Sequence, residues 1–206
     1  MPSIIWLGHA SFCIEGKKLV VYIDPWKLSN TKKKADLILV THEHYDHCSA
    51  DDIEKIKKGN TLIIAPNECE AKLGKIKAVK PGDSLTVNDI KIEAVPAYNT
   101  NKKFHPKENG KVGYILTIDG QRIYHAGDTD FIPEMSRLGN IDIALLPVGG
   151  IYTMAAEEAV EAVKIIKPKL AIPMHYGDIV GEDEDAKRFK ELAEKAGFKT
   201  EILKKG

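Results

Sequence analysis

The stretch that most constrains this 206-residue chain is 37–47, where an apolar run, Leu37-Ile38-Leu39-Val40, gives way to Thr41-His42-Glu43-His44-Tyr45-Asp46-His47. A short continuous apolar run reads as a strand covered on both faces, so the polar cluster emerges at the end of a buried strand. The chain holds seven histidines, and three of them, His42, His44 and His47, fall within six positions here. A merely solvated loop has no need of that density. Beyond a strand end, alternate residues project the same way. His42 and His44 can therefore offer ring nitrogens to one metal ion, while Asp46 and His47, one turn further, can hold a second.

Composition narrows the setting. Lys+Arg and Asp+Glu both number 30, for a formal net charge of +0, which argues against a protein that coats nucleic acid or an anionic membrane. Hydrophobic residues at 43% and charged residues at 29% are those of an ordinary globular chain, and the length predicts one domain over 1–206. Cys13, Cys48 and Cys69 are odd in number and lack CxxC spacing, so neither a disulfide framework nor a cysteine zinc finger is expected, and a reducing compartment is. The opening residues 1–9 have no basic, apolar pattern of a signal peptide. No run approaches 18 apolar residues, so a cytoplasmic protein without membrane contact is the expectation. All but three basic residues are lysine and Gln121 is the one glutamine, a composition that fits a thermophilic source or AT-rich coding equally.

Local patterns predict many short strands. Candidates are 3–7, 11–15, 19–23, 37–41 and 62–65, then hairpins over 84–95 and 112–125 around Asn88-Asp89 and Asp119-Gly120, then 141–146, 170–173 and 199–203. Helices are predicted over 50–58 behind Ser49, over 67–73, from a Thr153 cap to Lys167 before Pro168, and over 185–196 before Gly197. Two sheets with helices outside are implied, of α/β or α+β class.

The segment His42-x-His44-x-Asp46-His47 resembles the HxHxDH signature of the metallo-β-lactamase superfamily. His125-Ala126-Gly127-Asp128-Thr129 and Pro173-Met174-His175-Tyr176 resemble its later motifs, in the right order. Leu7-Gly8-His9-Ala10-Ser11-Phe12 and Asp24-Pro25 also fit. The likeness runs from about residue 3 to 178 and is to the compact branch that includes L-ascorbate-6-phosphate lactonase. It implies a four-layer αββα sandwich of two mixed sheets and a dinuclear site at one edge. Asp128 would bridge the two metals and His175 would complete the second. Zinc is the first expectation, with manganese or iron also compatible with His and Asp ligands.

One departure stands out. Such proteins usually carry a further ligand His at the end of a middle strand, where this chain reads Val95-Pro96-Ala97-Tyr98-Asn99. His105, on the polar loop 99–111, is expected to fold back to the first metal; the alternative is an exposed loop histidine, with water or Asn99 in its place. His125 is expected to orient the Asp128 loop rather than bind metal. His9 is expected to support the site or touch substrate, or to serve as a structural histidine. Cys48 reads as packing. Lys102, Lys103, Lys107 and Lys111 form either a solvated face or a lid that draws in an anionic substrate.

The chemistry such a site supports is hydrolysis by a metal-activated hydroxide, with Asp46 holding the water. The substrate would be a small molecule, a phosphoester, phosphodiester or lactone. The competing readings are a di-iron oxidoreductase and a nuclease-type phosphodiesterase on the same fold. Against them, no flavin domain is attached and the neutral chain leaves no room for a nucleic-acid arm. Homo-oligomer formation is left open.

Overall fold

Three strands, β1 (Ser3–Gly8), β2 (Ser11–Glu15) and β3 (Val20–Ile23), form an antiparallel meander. The tight turns between them fall at Gly8-His9 and Gly16, with Gly8 at φ +105°. They open the first of two six-stranded sheets in a computed structural model that describes residues 1–29 and 33–206. The apolar run becomes β4 (Leu37–Leu39), parallel to β3. Leu37 and Leu39 face the core between the sheets, while Ile38 and Val40 face outward with Ile53 and Ile56. Those two isoleucines belong to α1 (Ala50–Ile56), whose first turn is capped by the Ser49 hydroxyl accepting from the Asp52 amide. Strand β5 (Leu62–Ala65) follows, then a short α2 (Glu70–Leu73) closed by Gly74, then β6 (Lys77–Ala78) at the sheet edge.

The second sheet repeats the plan. Antiparallel β7 (Ser84–Val87), β8 (Ile90–Pro96), β9 (Val112–Ile118) and β10 (Gln121–His125) lead into parallel β11 (Ile143–Pro147) and β12 (Leu170–Met174). Both predicted hairpin turns form, with Asn88 and Asp119 in left-handed backbone and Gly120 after Asp119. The two sheets pack face to face: Phe12, Ile14, Ile23, Leu37 and Leu39 share one core with Ile92, Leu116, Ile123 and Leu145. Helices α3 (Ala156–Ile166) and α4 (Asp183–Lys195) add Ala159, Val163, Phe189 and Ala193 to the same core. The result is the αββα sandwich.

Three local expectations are corrected. Helix α3 starts at Ala156, not behind Thr153, because Gly150 and Met154 are tied up in bonds to Met154 O and Thr129 O, so the chain turns across the site loop first. Helix α4 starts two residues early, at Asp183, with the Asp185 carboxylate accepting from the Glu182 amide. The predicted strand over 199–203 shrinks to one bridge between Thr200 and Ala171. The amide of Ala171 bonds Lys199 O and the amide of Glu201 bonds Ala171 O. The next rung would need an N–H from Pro173, which has none. The two-residue β6 and the 3₁₀ turn Pro133–Arg137 carry no periodic signal and were not expected.

Gly113 on β9 lets the chain at 125–126 approach closely; a Cβ there would lie 2.7 Å from Ala126 O and 2.8 Å from His125 O. Both obstacles are backbone, so Gly113→Ala should lower stability by about 1–3 kcal/mol through overpacking, read as a lower midpoint in urea unfolding with unchanged m-value.

Candidate metal centre

Most residues singled out for the site sit just beyond the C-terminal end of a strand, and both sheets deliver to the same edge. His9 follows β1, Asp24 follows β3, the 41–47 segment follows β4, Asp128 follows β10 and His175 follows β12. His9 and His175 adopt positive φ, and the His175 amide bonds His9 O at 2.9 Å, which joins the two sheets at this edge.

Two groups of donor atoms converge there. In the first, His42 Nε2 lies 3.1 Å from His44 Nδ1, and His105 Nε2 lies 3.3 Å from the same atom. Asp128 Oδ2 lies 3.4 Å from His105 Nε2 and 4.0 Å from His42 Nε2. In the second, Asp128 Oδ1 lies 3.3 Å from His47 Nε2 and 3.2 Å from His175 Nε2, and Asp46 Oδ2 lies 3.5 Å from His47 Nε2. Donors at about 2.0–2.1 Å from a tetrahedral zinc are roughly 3.3–3.4 Å apart, so both spacings suit such an ion. Independently, His47 Nε2, Asp128 Oδ1 and both ring nitrogens of His175 are buried with no hydrogen-bond partner. Orphaned buried polar atoms of this kind cost about 1–3 kcal/mol each, and one cation between them would answer His47 Nε2, Asp128 Oδ1 and His175 Nε2 together. The residues present thus fit a metal.

The loop 99–111 does fold back. It carries a 3₁₀ turn, Lys107–Asn109, ended by Gly110 in left-handed backbone, and His105 is 1% exposed. Asn99 takes a different part from the one considered for it: its Oδ1 accepts from the His105 amide at 3.0 Å and from His105 Nδ1 at 3.1 Å. Its Nδ2 donates to Asp130 and to Tyr152 O, which fixes the amide's orientation.

Hydrogen bonds also set the tautomers. The carboxylate of Asp24 accepts from the Thr41 amide (2.8 Å), from Thr41 Oγ1 (2.7 Å) and from His47 Nδ1 (2.7 Å). With its proton spent on Asp24, Thr41 Oγ1 accepts from His42 Nδ1 at 3.0 Å. His42, His47 and His105 therefore all use Nδ1–H outward and direct Nε2 inward. Asp24, which the sequence offered only as part of an Asp-Pro pair fitting the family, supports Thr41 and His47 in this way, a role the sequence did not assign to it.

His9 Nε2 donates to Asp46 Oδ2 at 3.0 Å, so His9 supports Asp46, although it lies within reach of the second group. His125 donates from Nε2 to Ala10 O at 2.8 Å and accepts at Nδ1 from the Gly127 amide at 3.2 Å. It shapes the Asp128 loop and joins neither group. Cys48 is buried in the outer core of the first sheet. Behind His44, Lys111 is buried and bonded to both Glu43 oxygens at 3.0 Å, with Nζ 3.3 Å from His44 Nε2.

Burial keeps most of these imidazoles neutral, with lone pairs available. It pushes His9 and His105 down to about 4, and lowers His42, His44 and His125 as well. His47 runs the other way: burial would lower it, but the carboxylates of Asp128 and Asp24 lift it well above the usual imidazole value. A cation entering there displaces a proton. Burial would raise Asp128 and Asp46, yet the neighbouring imidazoles hold both well below the usual carboxylate range.

These features define a metal-binding hydrolase scaffold, and comparison with known proteins agrees. The family described as the beta-lactamase superfamily domain matches residues 3–175. A UPF0173 metal-dependent hydrolase of Thermoplasma volcanium is 39% identical over 210 residues, covering 95% of this chain and 92% of that protein. The crystal structure of a protein from Parabacteroides distasonis, described as a metal-dependent hydrolase, superposes with TM-score 0.90 at 40% identity, covering 98% of this chain and 94% of its own. A metallo hydrolase from Ignicoccus hospitalis superposes with TM-score 0.82 at 29% identity, covering 100% and 96%. The chain belongs to the metallo-β-lactamase superfamily and, within it, to the UPF0173 metal-dependent hydrolases.

Two substitutions test the site. His105→Ala should lower metal affinity by about tenfold or more with an unchanged far-UV spectrum, since its loop lies outside the core; full metal content by mass spectrometry would make His105 a bystander. Asp24→Asn keeps the shape but cannot accept all three donors. It should cost about 10–100-fold in metal affinity, measured by competition with a chelator.

Proposed function

We propose that the chain binds two divalent cations, zinc in the first instance, and hydrolyses an ester-type bond, of a phosphoester, phosphodiester or lactone. The observation that carries the reading is the placement of one carboxylate between two donor groups: Asp128 Oδ2 toward His42, His44 and His105, and Oδ1 toward His47 and His175. On this reading the first cation is held by His42, His44, His105 and Asp128, and the second by Asp46, His47, Asp128 and His175.

Bound dications would lower the pKa of water from about 15.7 toward about 7 and offset charge that builds on the substrate oxygen. Asp46 stays ionised and accepts a hydrogen bond from the attacking water, which fixes its direction. His9, donating to Asp46 Oδ2, keeps that carboxylate from rotating. Thr41 and Asp24 hold the rings of His42 and His47, and Asn99 holds that of His105. The reacting groups thus need little rearrangement as charge develops.

Asp128→Ala should lose more metal than the single alanine variants of His42, His47 or His175, because one carboxylate serves both groups. Metal stoichiometry by plasma mass spectrometry reads this. Activity of the metal-loaded protein on a panel of phosphodiesters, phosphomonoesters and lactones tests the reaction class; turnover of none of them would sink it.

A further inference from the structure

The donor cluster forms the floor of a cavity of about 290 Å³ lined by His44, Tyr45, Asp46, Phe104, His105, Asp128, Tyr152 and Ile179. Four of these residues, His44, Asp46, His105 and Asp128, belong to the metal centre just described. The other four are apolar or aromatic and make the mouth. Tyr45 is 62% exposed, Phe104 47% and Ile179 38%, which is expensive surface for side chains of their size unless something covers it. Phe104 and Tyr152 meet edge to face with ring centroids 4.6 Å apart, so the two rings brace each other as a rigid wall.

The lysines that a basic lid would need are committed elsewhere. Lys102 pairs with Asp130 at 2.5 Å, Lys107 with Glu134 at 2.8 Å and Lys111 with Glu43 at 3.0 Å. Lys27, behind Trp26, pairs with Asp178 at 3.2 Å. Lys103 is exposed and does not line the cavity. Among the described residues no cationic side chain lines the mouth, so nothing there would recognise an anionic group remote from the bond that is cleaved.

We propose that the substrate carries an uncharged aryl or alkyl group beside its scissile bond, seated against Phe104, Tyr152, Tyr45 and Ile179, and no further anionic group. This rests on the hydrolase reading above and narrows its substrate class.

The test uses p-nitrophenyl acetate, butyrate and hexanoate with the metal-loaded protein, alongside the adipate monoester, which is the hexanoate chain ending in a carboxylate. The expected result is a rise in kcat/KM of about fourfold for each methylene that enters the mouth, and a loss of tenfold or more when the carboxylate is added. Phe104→Ala and Tyr152→Ala should flatten the series through KM while metal content by mass spectrometry stays full. A flat series in the parent protein, or preference for the adipate monoester, overturns the proposal. So does an unchanged slope in both variants.

Binding of acetophenone, butyrophenone and hexanophenone by isothermal titration provides the same readout without turnover. If the protein hydrolyses none of the esters, affinity that climbs with chain length still supports the mouth as an apolar recognition site and places the failure in the assigned chemistry. Affinity independent of chain length overturns it.

Discussion

A carboxylate and several imidazoles buried together set the terms for this molecule. Asp128 is 4% exposed, and His42, His47 and His175 are at most 1% exposed. Such groups leave water at a substantial cost, which falls only when charges and lone pairs meet partners. Most of the outward-facing nitrogens are met by Asp24, Thr41 and Asn99. The inward-facing ones meet each other and Asp128 at spacings suited to a cation. The fold around them can be read as the apparatus that keeps this arrangement in place: two sheets, each sending strand ends to one edge, so that no donor depends on a free loop except His105.

The sequence disclosed the donors better than their supports. His42, His44, Asp46 and His47 were legible because spacing along one strand end decides where they point. Asp128 and His175 were legible through ordered motifs that resemble a family. His105 was found by elimination among histidines, and its loop position alone did not say that it would be buried. What holds it there, Asn99, is six residues away and was considered only as a substitute ligand. Asp24 and Thr41 lie 17 residues apart and meet because β3 and β4 are parallel neighbours. Pairings of that kind follow from sheet order, which local propensity does not carry.

The fold was legible to a similar degree. Hairpins with Asn88-Asp89 and Asp119-Gly120 turns announce themselves, and the apolar run at 37–40 declares that it is covered on both sides. Their grouping into two sheets of the same plan, antiparallel strands followed by parallel ones, came from the family likeness and not from periodicity. The start of α3 was misplaced because Thr153 is a good cap by type, whereas the chain there is occupied in crossing the Asp128 loop. Lys111 shows the same limit: a lysine in a basic loop reads as solvated, yet here it is buried against Glu43.

Pro173 has an effect beyond the rung it removes. Strand β12 is the outer strand of its sheet, and an outer strand with free N–H and C=O groups is a template on which a strand from another molecule can grow. The C-terminal tail occupies that edge at Ala171 through bonds to Lys199 and Glu201. Where the tail departs, the ring of Pro173 presents no donor to a newcomer. The residue that leads into the His175 loop thus also blunts the sheet against edge-to-edge aggregation, so the strand that delivers a site histidine is guarded from recruiting a neighbour.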